Sequence, residues 1–86
     1  MANTRSQMKR NRQNETARLR NKAVRSRVRT LTRRFDEAHA AGDREAADAA
    51  YQVVSRELDR AATKGVVHRN TAANRKSKMA RRLNGM

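Results

Sequence analysis

Not one proline interrupts this chain of 86 residues, and its three glycines leave only two internal places, Gly42 and Gly65, where a helix is invited to stop. Those two stops predict three helices. Phe35 and Tyr51 are the only aromatics, and the β-branched residues are scattered rather than alternating, so no stretch reads as a period-2 strand. The fold class expected is all-α.

The first helix is expected over about residues 4–41, starting after Asn3 or Thr4, with Gly42 in the left-handed C′ position and Asp43 capping the second helix. Such a helix measures roughly 55 Å, whereas a compact chain of this size has a radius of gyration of about 12 Å. Part of it must therefore project. Val24, Val28, Leu31, Phe35 and Ala38 succeed one another at steps of 4, 3, 4 and 3, while residues 5–22 hold no comparable stripe. The C-terminal half is expected to pack and the basic half, residues 4–22, to protrude.

The second helix is expected over about 43–63, with Ala47, Ala50, Tyr51, Val54, Leu58 and Ala61 on one face. The third, about 68–84, offers Ala72, Met79, Ala80 and Leu83, with Lys76 in the same stripe and able to snorkel its ammonium outward. Short connections at Gly42 and around Gly65 to Val67 make neighbouring helices antiparallel. The whole chain reads as a single domain, a three-helix up-down-up bundle with a long projecting N-terminal helix.

Charge is segregated along this frame. Residues 1–34 hold 12 basic and 1 acidic side chains, residues 35–60 hold 3 and 7, and residues 61–86 hold 7 and none, within a net charge of +14. The middle helix can pair its acids with basic neighbours, while the first and third carry the charge that faces a ligand. On a helical wheel Arg5, Lys9, Arg12, Arg20, Arg27 and Arg34 fall within about 80°, and Arg18, Lys22, Arg25, Arg29 and Arg33 within about 80° elsewhere. A solvated face normally interleaves both signs, but here Glu15 alone relieves the two stripes. Phosphates complete such a helix. With both aromatics on apolar seams, no ring is spare for stacking single-stranded bases, which favours duplex or folded nucleic acid met through phosphates, 2′-hydroxyls and shape. Asn3, Ser6, Asn11, Gln13, Asn14, Thr16 and Asn21 interleave the cations and can add polar contacts.

Other function classes find little support. A chain this short, with an apolar fraction of 36% rich in alanine, has no room for a deep enzyme pocket. Ser55 has no base in sequence reach, and no carboxylates pair in an apolar setting, so no catalytic residues are expected. The absence of cysteine removes disulfides, thiolate catalysis and cysteine-ligated zinc. His39 and His68 lack partners at ligand spacing, so neither metal nor cofactor is expected. The chain reads as intracellular, neither membrane-spanning nor exported. A basic zipper on duplex DNA would need three or four heptads of seam, and only about two precede Gly42.

Specific segments add a resemblance. Met1-Ala2-Asn3, Ser6-Gln7, Lys9-Arg10, Asn14-Glu15-Thr16-Ala17-Arg18, Asn21-Lys22-Ala23-Val24 and the Ala41-Gly42-Asp43 turn, with Ala62-Thr63-Lys64-Gly65-Val66-Val67-His68-Arg69-Asn70 and Ala72-Ala73-Asn74-Arg75-Lys76-Ser77, look like bacterial small-subunit ribosomal protein S-twenty. The resemblance covers the whole chain; Thr4, Thr71 and Met79 depart from the family's usual residues. It implies a structural, non-enzymatic protein that works in the cytoplasmic ribosome and binds 16S ribosomal RNA directly during 30S assembly. It further implies contact with the 5′ domain and the long penultimate stem near the 3′ end. The RNA-facing residues that it implies are Asn3, Ser6, Lys9, Arg10, Asn14, Arg18, Asn21, Lys22 and Arg25 from the first helix. From the third helix and its approach they are Lys64, His68, Arg69, Asn70, Arg75, Lys76 and Ser77.

Overall fold

The computed structural model describes residues 4–86, with side chains described from Gln7 onward. Three helices succeed one another: α1 (Thr4–Ala40), α2 (Arg44–Thr63) and α3 (Arg69–Asn84), with no strand among the described residues. The molecule measures 62 × 20 × 14 Å with a radius of gyration of 17.4 Å, well above the roughly 12 Å of a compact chain of this length. The excess is the N-terminal half of α1, where every described side chain from Gln7 to Arg20 is exposed except the half-buried Ala17.

Each helix boundary has a local cause. Gly42 lies at φ +72°, Asp43 N–H donates to the Ala38 carbonyl at 3.0 Å and Gly42 N–H to that of His39 at 3.1 Å, a Schellman turn that ends α1. Ala41, expected as the last helical residue, therefore belongs to the turn. Asp43 is the N-cap of α2 as expected, its carboxylate accepting from Ala46 N–H at 3.1 Å, so the helix proper starts one residue later, at Arg44. The same motif recurs at Gly65, φ +77°, where Val66 N–H donates to the Ala61 carbonyl at 2.9 Å and Gly65 N–H to that of Ala62 at 3.1 Å. A Schellman turn brings an apolar C″ residue back onto its helix. Val66, expected in a plain connection, is accordingly buried beside the fully buried Ala61.

The core joins Val28 and Phe35 of α1, Ala47, Val54 and Leu58 of α2, and Ala72, Met79 and Leu83 of α3. Its three largest fully buried side chains are Phe35, Leu58 and Val54. α2 packs extensively against both neighbours, whereas α1 and α3 barely touch. The apolar seam of α1 begins where expected, with Val24 half-buried and Val28 buried. Leu31 and Ala38 sit at its margin, and His39 stands at the core's edge with its ring 6.1 Å from that of Phe35. No described helix is long and apolar enough to cross a membrane.

Candidate nucleic-acid interface

α1 and α3 run in the same direction with a cleft between, since residues 25 and 36 of α1 meet residues 66 and 82 in the same order. Two contacts tie its ends. At one end the Arg25 guanidinium donates from Nη2 to the Val66 carbonyl at 3.4 Å. At the other Arg82 donates from Nη1 to Asp36 Oδ1 at 2.7 Å, its Cζ lying 5.2 Å from the centroid of the Phe35 ring. Between these ties lies an open groove of about 550 Å³, floored by Val28, Ala61, Val66 and Met79. Arg25, Arg29 and Arg33 line the α1 wall, and Arg75, Lys78 and Arg82 the α3 wall.

The α1 wall continues up the projecting half. Asn14, Arg18, Asn21, Lys22 and Arg25 share one shallow depression along the helix, and Arg25 and Arg29 line both this depression and the groove. Five of the residues expected to face RNA thus form one continuous strip. Lys9 and Arg10 are exposed farther along α1, roughly 22 Å of helix above Arg25. Asn3 lies outside the described residues, as does the side chain of Ser6. The second stripe is also displayed: Arg12 and Arg20 line a separate shallow surface with Gln13 and Thr16. Thr16 gives its hydroxyl proton to the Arg12 carbonyl at 2.9 Å, so it offers a ligand only lone pairs.

At α3 the expected residues divide by role. Arg75 lines the groove, and Lys64, Arg69, Asn70 and Ser77 are exposed. His68, expected as the first residue of the third helix, is instead its N-cap, with Nδ1 accepting from Asn70 N–H at 3.1 Å. An N-cap side chain must reach back to an orphan amide, which needs the extended backbone found here at ψ 144°. Lys76 reaches out of the apolar stripe and places Nζ 3.0 and 3.2 Å from the two oxygens of Asp59, tying α3 to α2.

Of the four acids within α2, Glu57 is engaged as Asp59 is, while Glu45 and Asp48 make no ion pair with any described residue. Glu57, its side chain only 12% exposed, lies 3.4 Å from Arg27 and 3.5 Å from Arg60. No acid meets the cations of the projecting half: no ion pair is found among the described residues before Arg27. Phe35 is fully buried and Tyr51 half-buried against the core, so neither ring is presented to a base. Arg29 and Arg33, placed in a stripe by their spacing, and Lys78 and Arg82 join the interface beyond the residues that the resemblance implied. The signal for the last two is in the sequence, since Arg75, Lys78 and Arg82 recur at steps of 3 and 4.

Comparison with known proteins gives a consistent result. The sequence model of the family described as Ribosomal protein S20 matches residues 2–84. A small ribosomal subunit protein bS20 of Corynebacterium efficiens is 58% identical over 84 residues, covering 98% of this chain and 97% of that one. Its counterpart in Mycobacterium tuberculosis is 57% identical over 84 residues, covering 98% of each chain. That of Beutenbergia cavernae is 55% identical over 86 residues and covers both chains completely.

Proposed function

This chain belongs to the ribosomal protein S20 family, a structural and non-enzymatic part of the small ribosomal subunit, and on that premise we propose that it binds 16S ribosomal RNA directly through α1 and α3. By holding RNA segments against these two helices it steadies their fold as the 30S subunit assembles, within the cytoplasmic ribosome. The observation that carries this reading is the continuous strip of cations from Arg18 to Arg33, with a second basic wall facing its lower end across the groove. The residues proposed to meet RNA are those exposed along α1 and α3, together with the approach from Lys64 to Asn70. In this reading His68 works chiefly by fixing the start of α3. Lys76 acts through Asp59, holding α3 in place, and contacts with the 5′ domain and the long penultimate stem are the targets that the family suggests.

The mechanism is electrostatic docking followed by ordering. Phosphates that neutralise Lys and Arg release condensed counterions, so a protein making roughly 6 to 10 such contacts loses about 10³ to 10⁵ in affinity between 50 and 200 mM salt. Phosphate contacts position but do not discriminate. Selectivity comes from the fixed spacing of α1 and α3, which only an RNA fold with phosphates at matching places can satisfy. Competition binding to folded 16S RNA, against equal masses of duplex DNA and unrelated structured RNA, tests this. A preference of about 100-fold or more that persists at roughly 0.2 M salt is expected, since specific nucleic-acid binding typically exceeds non-specific binding by about 10³ or more. Equal competition by duplex DNA would replace the reading with that of a generic basic DNA-coating protein.

A further inference from the structure

The groove between α1 and α3 has an electrostatic imbalance that the fold does not resolve. Of the six cations lining it, Arg25 is tied to the Val66 carbonyl and Arg82 to Asp36. Arg29, Arg33, Arg75 and Lys78 have no ion-pair partner among the described residues, and Asp36, already bonded to Arg82, is the one carboxylate among the lining residues. Four cations therefore face one another from two walls above an apolar floor. Like charges above low-dielectric material repel more strongly than they would in water. That repulsion is opposed between α1 and α3 by few direct contacts, chiefly Arg82 with Asp36 and Phe35.

The spacing of the cations shows what fits. Arg25, Arg29 and Arg33 stand one per helical turn on α1, as Arg75, Lys78 and Arg82 do on α3. Because the helices are parallel, the two walls form matched rails with a cation about every 4.5 to 6 Å, a step comparable with that between successive phosphates of an RNA strand. The floor of Val28, Ala61, Val66 and Met79 offers carbon surface to the sugars of a strand lying lengthwise.

We propose that this groove is a clamp for a single strand of RNA phosphodiester backbone, whose phosphates bridge Arg29 and Arg33 on α1 to Arg75 and Lys78 on α3. The proposal rests on the RNA-binding reading above and refines it. The bound strand adds to the few α1–α3 contacts that the protein makes itself, Arg82 with Asp36 and Phe35, so binding in the groove tightens the seating of α3 as well as adding affinity. α3 is thus seated by the RNA along its α1 side and by Lys76 and the core along its α2 side.

A double-mutant cycle separates a shared strand from independent surface charges. The dissociation constant for folded 16S RNA is measured at one fixed salt concentration for Arg29→Gln, Arg75→Gln and the pair. The control cycle combines Arg12→Gln, on the other stripe of the projecting half, with Arg75→Gln. All three positions are exposed in the free chain or line an open surface, and melting of each free variant checks that the fold is intact. If one strand bridges the rails, Arg29 and Arg75 are coupled by more than about threefold in Kd, while the control pair multiplies to within about twofold. Independent effects of Arg29 and Arg75 would overturn the clamp. The two readings fail separately: loss of the wild-type preference for 16S RNA over duplex DNA removes RNA recognition itself. Independence of the two rails with that preference intact removes only the clamp.

Discussion

The two halves of α1 are built from the same arginine-rich, helix-forming residues, yet from Val24 onward the helix has a buried side, while among the described side chains before Asn21 only Ala17 is even half-buried. In the lower half Val28 and Phe35 are buried in the core, and Arg27 has Glu57 as a partner on α2. The upper half has neither a partner helix nor an ion pair among its described residues, and its large apolar side chains, Met8 and Leu19, are 55% and 56% exposed. Isolated helices draw little stability from propensity, so tertiary packing decides which segment holds. The lower half is held by the protein. The upper half, whose first turn carries no acid to offset the helix dipole, is in our proposal held by RNA.

This contrast can be broken most forcefully at the core. Leu58→Ala, at a side chain only 1% exposed, is expected to cost roughly 2 to 5 kcal/mol, read as a fall in the urea midpoint of the free protein. Leu31→Ala, at the half-buried margin of the seam, should cost visibly less than Leu58→Ala in the same assay. Equal costs would mean that the α1 seam is packed more deeply than its burial indicates.

The charged strip gives the next largest effect, in a different observable. Arg18→Ala should leave helicity and melting of the free protein unchanged and weaken RNA binding, reducing the salt-dependence slope by about 0.7 to 0.9 for each phosphate no longer neutralised. A lowered melting temperature with binding intact would move Arg18 from the interface to the fold. At α3, removing the cap with His68→Ala should destabilise by about 0.5 to 2 kcal/mol, with His68→Asn recovering most of the loss because Asn is among the best capping residues. Failure of Asn to restore stability would show that His68 contributes something other than its acceptor. Smallest of all, Leu19→Ala should change the stability of the free protein by no more than about 0.5 kcal/mol. The same deletion of a leucine side chain at positions 19 and 58 would then separate the two regions several-fold.

How much of this is legible in the sequence depends on the range of the interaction. The three helices, their antiparallel order and the projecting half come from Gly42, Gly65 and the seam from Val24 to Ala38, all local signals that the structure repeats. Asp43 can be read as a cap because an acid after a C′ glycine has one local use. His68 cannot, since a histidine in a turn serves a ligand or a helix end equally, and only its backbone geometry decides. Val66 escapes a periodicity reading, because the Schellman turn at Gly65 places it back on the helix by a backbone reversal that no 3.6-residue pattern registers. The groove is out of reach for another reason. Arg25 with Val66, and Asp36 with Arg82, meet across 41 and 46 residues, and no local pattern reports which face of α3 turns toward α1.

The most direct test of the central claim, that the protein holds one half of α1 and the RNA holds the other, is amide hydrogen exchange in the free protein and in its complex with folded 16S RNA. Residues 47–58 of α2 should be protected in both states. Residues 7–20 of α1 should exchange rapidly in the free protein and become protected in the complex, because like-charge repulsion is relieved only when phosphates are present. Protection of residues 7–20 in the free protein equal to that of residues 47–58 would contradict the claim, for the projecting helix would then stand without its ligand.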